Sequence, residues 1–163
     1  MTRYLYLALA VLAAAGCTAA GEQDATRDET TGEIVENEDV GVFRLQEGDC
    51  LVMPSAGIVG EEVETMEAIP CAQPHDGEVL ALVEVAGGDD DPFPGQSALS
   101  DEAQTRCLEE FEVATGRDFL TDPDWDMTFL SPTADSWAIG NDREIVCIVT
   151  PLDGSPTTDV VTS

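Results

Sequence analysis

The sequence predicts an α+β fold: a small, mostly antiparallel sheet packed by one main helix and stapled by two disulfides. Three observations within its 163 residues carry that expectation. Residues 78–85 read EVLALVEV, apolar on both faces at strand length, which marks a strand central in its sheet. Residues 97–115 place Ala103, Cys107, Leu108, Phe111 and Ala114 on one face at helical spacing. Four cysteines, Cys50, Cys71, Cys107 and Cys147, are spread through this same region.

The remaining elements follow in order. Residues 50–53 form a short apolar strand entered through the turn Gln46-Glu-Gly-Asp49. Residues 63–71 alternate, with Val63, Thr65, Ile69 and Cys71 to one side. The run GGDDDPFPG over 87–95 is loop by composition. Acidic residues crowd the expected first turn of the helix, and Gly116 closes it. Strands at 127–130 and 144–149 complete the sheet, the second entered through Gly140-Asn-Asp142. The folded unit is expected over 44–150, followed by a disordered Pro/Gly/Ser/Thr/Asp tail over 151–163.

The amino-terminal end reads as an address. Arg3 precedes an apolar run of 12 residues, Tyr4 to Ala15, and then Gly16-Cys17. That run is too short for a mature span, which needs about 20 residues. A basic start, an apolar middle and small residues at the end predict a signal peptide over 1–16. The string Leu12-Ala-Ala-Ala-Gly16-Cys17 resembles a bacterial lipobox, with Ala14 where Leu is commoner. The resemblance implies cleavage before Cys17 and its diacylglyceryl modification, a stable anchor once two or three acyl chains are present. Residues 17–43, with Glu22, Asp24, Asp28, Glu29, Glu33, Glu36, Glu38 and Asp39, are expected as an acidic disordered tether to the membrane.

Charge narrows the partners. Acidic residues number 34 against six cationic ones, all arginine, giving a net charge of -28. No basic cluster exists to track a phosphate backbone, so nucleic-acid binding is excluded as a reading, and attraction to anionic headgroups with it. With Cys17 carrying lipid, the other four cysteines form an even set in an exported domain. Of three possible pairings we expect Cys50–Cys71, joining strands close in sequence, and Cys107–Cys147, tying the buried helix face to the last strand.

A further set of motifs has a familiar order. Gly48-Asp49-Cys50 is followed by Cys71-Ala-Gln-Pro74-His75-Asp76-Gly-Glu78-Val79, then Pro94-Gly95 and Cys107. Pro132-Thr133, Trp137, Gly140-Asn-Asp142-Arg143 and Cys147 close the series. This resembles the septum-formation family of actinobacterial envelope proteins, over about residues 46–149. The string C-x-x-P-H-x-x-E-V is its most specific part. One extra residue turns the family's Gly-x-Arg into Gly-x-x-Arg at 140–143. The resemblance implies a role in septum formation during division and carries no established enzymatic activity. It singles out Pro74, His75, Glu78, Trp137 and Arg143 as motif residues.

His75 is the one histidine, so any nucleophile–base arrangement must use it. Cys71 lies four before it but is expected oxidised, and Ser100, Ser131 and Ser136 sit in no Gly-x-Ser-x-Gly elbow. The expected role of His75 is therefore in a turn between strands, and zinc is not expected. Asp122, Asp124 and Asp126 alternate like an EF-hand start, with Asp89-Asp90-Asp91 a second acidic cluster. Met127 stands where that loop needs Gly and Thr133 where it needs Glu, so calcium is not expected there. Trp137 is expected in packing and Trp125 as an exposed contact anchor.

The sequence thus points to an exported, monomeric, lipid-anchored interaction domain, without catalytic residues, cofactor or metal, meeting envelope or division proteins. A surface lipoprotein binding divalent cations or a small ligand is the second reading, and a hydrolase built on His75 the third.

Overall fold

The doubly apolar strand at 78–85 sets the middle of the sheet. The computed structural model describes residues 23–55, 57–58, 62–88 and 90–161. It contains β1 (Glu38–Gly41), β2 (Cys50–Val52), β3 (Thr65–Ile69), β4 (Gly77–Glu84), α1 (Gln96–Thr115), β5 (Trp125–Leu130), α2 (Ala134–Ile139) and β6 (Glu144–Pro151). The strands form one sheet of six in the order β1-β3-β2-β4-β6-β5, every pair antiparallel. This is the α+β architecture the sequence predicts, with α1 as the main helix.

Strand β4 lies between β2 and β6, and apolar side chains leave it on both sides. A register shift between Val79 and Ala81 sends Leu80 and Ala81 to the same face. There they join Val83, Val85, Ile145, Cys147 and Val149 under Leu99, Ala103, Cys107 and Phe111 of α1. The opposite face gathers Val79, Val146, Ile148, Leu51, Met66 and Ala68. Its cover comes from Ile34, Val40, Leu45 and Ile58.

That cover corrects the tether expected over 17–43, in its described part. Residues 38–41 are the edge strand β1, paired with β3 from Glu38↔Ala68 to Gly41↔Thr65. Residues 27 and 34 close a small antiparallel bridge, and Ile34 is buried. The physical reason is the second face of β4 and β6, which would otherwise leave aliphatic surface in water. Arg27 adds a fixing point: its Nη1 and Nη2 reach Asp49 Oδ1 and Oδ2 at 2.6 and 2.7 Å. Hydrogen bonding to Asp49 raises the Arg27 pKa, and Asp49 is buried. The signal peptide, Cys17 and residues 18–22 lie outside the described residues.

The tail over 151–163 is corrected in the same way. Thr157 pairs with His75, and Val161 packs against the α1-side core.

Three smaller expectations also shift. Helix α1 starts at Gln96 under Gly95, so Asp101 and Glu102 fall beyond a first turn that holds no acid. Gly116 does end the helix, left-handed at φ 68°, donating to the Glu112 carbonyl at 2.8 Å. In β3 Met66 and Ala68 face the second core and Ile69 is buried as well, while Thr65 is half-buried and Val63, just before the strand, packs against the same core. Ala114 is exposed, while Leu99, one turn before Ala103, joins the buried face. Helix α2 has no counterpart in the sequence reading; a capping box between Thr133 and Ser136 starts it.

Both expected disulfides are present, Cys50–Cys71 and Cys107–Cys147. Their sequence separations of 21 and 40 residues correspond to about 3–4 kcal/mol each on the loop-entropy account. Replacing Cys107 and Cys147 together by Ala should lower unfolding free energy by about that amount, read from urea unfolding, with a steeper slope because the unfolded chain loses a crosslink. Arg27→Ala leaves the Asp49 carboxylate buried without its bidentate partner and should cost about 3 kcal/mol. Limited proteolysis should then cut within residues 23–45 before it cuts the rest.

Candidate functional site

The motif residues fall into two groups, one at each end of β4. The first is built around the disulfide between Cys50 and Cys71. Gly48 takes a left-handed φ of 86°, which any side chain would strain, and donates to the Val79 carbonyl at 2.8 Å. Val79 returns a 2.9 Å bond to the Asp49 carbonyl. After Cys71 the chain turns, and exposed Pro74 leads into buried His75. Asp76 Oδ1 accepts from the Met53 amide at 2.6 Å, closing the end of β2.

His75 is only 2% exposed. Its Nδ1 lies 3.0 Å from the Gln73 carbonyl, which can only accept, so the proton sits on Nδ1 and Nε2 is an acceptor. No partner reaches Nε2 among the described residues. Glu78, 1% exposed, accepts from the Val161 amide at 2.6 Å. The serines weighed as nucleophiles are engaged elsewhere. Ser100 donates to Gln96, Ser131 accepts from Gln96, and Ser136 bonds Asp142 at 2.8 Å.

The second group is a knot of Trp137, Arg143 and the 87–95 loop. The Arg143 guanidinium stacks over the indole of Trp137, 3.5 Å from the ring centroid. Its Nη1 donates to the carbonyls of Trp137 and Asp142, and Trp137 Nε1 donates to the Asp91 carbonyl at 2.9 Å. Phe93 meets the indole edge-on. The extra residue in Gly-x-x-Arg brings Asn141 to a φ of 52°, and Asp142 folds back on Ser136. Trp137 therefore packs, as the sequence suggested.

These two groups do not meet. Residues 78 and 84 are separated by six strand steps, about 20 Å of β4. The motif residues thus frame the sheet at both ends and converge on no shared reaction centre.

The acidic clusters are engaged as well. Arg117 pairs with Asp122 at 2.9 Å and approaches Asp124 at 3.7 Å; Asp126 accepts from Met127. Among the described residues no three His, Cys, Asp or Glu side chains gather as metal ligands. Asp89 lies outside the described residues. Trp125, expected exposed, is half-buried in β5 against the α1-side core. An open cleft of about 410 Å³ is lined by Asp24, Arg27, Phe43 and Arg44. Both of its arginines are already paired, with Asp49 and Asp24. What sequence reasoning missed is the pairing of His75 and Glu78 with the tail, since a single bridge leaves no periodic signal.

Fold and motif together define a disulfide-stapled α+β domain whose signature residues build its framework. A family model described as "Septum formation" matches residues 14–147, and the chain belongs to that septum-formation family. No curated protein and no solved structure matches the chain.

One titration follows from the second group. Partial desolvation at the exposed start of β6, with the Asp142 and Glu47 carboxylates nearby, raises the Glu144 pKa above the ordinary carboxylate value. A folded-state value above the unfolded one means ionised Glu144 destabilises the native state, a cost relieved as pH falls through the raised value. Glu144→Gln should therefore raise the melting temperature at pH 7, with the gain gone near pH 4, measured by thermal scans across that range.

Proposed function

We propose that this chain is an exported lipoprotein, held through acylated Cys17 on the outer face of the cell membrane. There it serves septum formation as a non-catalytic interaction module. The observation that carries the reading is the family match over residues 14–147. Two disulfides support an oxidising, extracytoplasmic compartment, and their pairing leaves Cys17 as the odd cysteine in a lipobox-like string. The module reading draws support from the sole histidine, which is buried, and from motif residues bonded into the framework. Net charge of -28 favours partners presenting basic surface.

A fluorescent fusion of the full-length chain, imaged through division in its own host, tests this. Septal enrichment is expected, with Cys17→Ser shifting the protein from the membrane fraction to the soluble one. Uniform distribution around the envelope would overturn the septal role, and membrane retention of Cys17→Ser would overturn the anchor.

A further inference from the structure

We propose that the site at His75 and Glu78, where β4 begins, binds an extended, basic segment of another protein in the place that the chain's own residues 153–161 occupy in cis. Beyond β6 the chain turns at Gly154, whose amide donates to the Pro151 carbonyl, and returns along the start of β4. His75 and Thr157 exchange two backbone bonds of 2.8 Å, an isolated antiparallel bridge. Four residues on, the Val161 amide donates to Glu78 Oε2 at 2.6 Å, and the Val161 side chain packs on the α1-side core. Backbone pairing, one apolar contact and a carboxylate for an N–H are the terms on which sheets take up extended peptides.

The two sides of this contact differ in rigidity. His75 and Glu78 are buried, and their segment is held by Cys71 and by the bond from Met53 to Asp76. The strap attaches by one bridge and by Val161, through its bond to Glu78 and its apolar contact, and leaves residues 152–156 and 158–160 exposed. Few buried contacts mean it opens locally, well below the cost of global unfolding. His75 and Glu78 also lie inside the family match, whereas residues 153–161 lie outside it.

Displacement in trans requires that a partner offer something the strap lacks. Nε2 of His75 is buried and unmet among the described residues, so the strap leaves an acceptor unsatisfied. Residues directly opposed across an antiparallel bridge project to the same face. A partner side chain opposite His75 is therefore the one placed to bring a donor. The Thr157 hydroxyl, in that position, instead accepts from the Asp159 amide at 2.9 Å. Charge acts in the same direction. The strap brings Asp153 and Asp159, two of the chain's 34 acidic residues, back against a strongly acidic domain, while a basic segment is drawn to it.

The site deepens the interaction-module reading and rests on it; binding in solution tests the site, and imaging tests the module's place, so the two can fail separately. The test uses the full chain and the same chain opened by Thr157→Pro with Val161→Asp, changes confined to the strap. Two labelled synthetic peptides are the probes: a copy of residues 152–163, and that copy carrying Asp153→Lys and Asp159→Lys. Fluorescence anisotropy at low salt should show the opened chain binding both, the lysine-bearing probe about tenfold more tightly, with the difference shrinking in high salt. The unaltered chain should bind at least about tenfold more weakly, and Glu78→Gln in the opened chain should weaken binding about fivefold. A folded opened chain that binds neither probe overturns the proposal, as does equal binding by the closed chain or no preference for the lysine-bearing probe. If the opened chain does not fold, hydrogen exchange of the unaltered protein decides. Thr157 and Val161 amides exchanging about a hundredfold faster than Val79 supports a separable strap, and exchange at the global rate overturns it.

Discussion

A chain with 34 acidic residues and six arginines must stay folded against its own repulsion. Aliphatic burial supplies the driving force, and the arrangement of the sheet decides how much of it is available. β4 and β6 are apolar on both faces, so two layers of core form where a one-sided sheet would make one. Two disulfides add covalent ties to this arrangement. Cys107–Cys147 joins α1 to β6, and Cys50–Cys71 joins β2 to the turn after β3. Cations are too scarce to neutralise the surface, and each of the five described arginines is committed locally. Arg27, Arg44, Arg106 and Arg117 pair with carboxylates, and Arg143 stacks on Trp137.

Seen from that constraint, the family's motif residues have intelligible tasks. Asp49 holds Arg27 and with it the segment that covers the second face. Gly48 lets the backbone approach β4. His75 and Glu78 receive the returning tail, while Trp137 and Arg143 pin the long acidic loop before α1. Such residues keep a highly charged domain in one shape.

The same arrangement engages the side chains that the sequence offers for chemistry. The one histidine is buried with its Nδ1 proton committed to a carbonyl, and the serines considered as nucleophiles bond to other groups. The alternating aspartates at 122–126 are engaged by Arg117 and by local turns. Each of these side chains carries the right functional group, but its neighbours have already used it.

Much was legible in the residues alone. Period and length identify β4 as central; helical spacing and Gly116 delimit α1; an even set of four cysteines predicts the two staples. These are local or countable features, and local physics determines them. Tertiary structure decided what the polar segments at each end do. Residues 23–43 and 151–161 look unstructured because each offers few apolar side chains, and taken alone neither could offset its ordering entropy. Ile34, Val40 and Val161 find their burial on surfaces made by residues far away in sequence, and Arg27 and the Val161 amide find their carboxylates in the same way. Contacts of that kind have no period and no spacing to read, so only the folded sheet, with its second face needing cover, could reveal them.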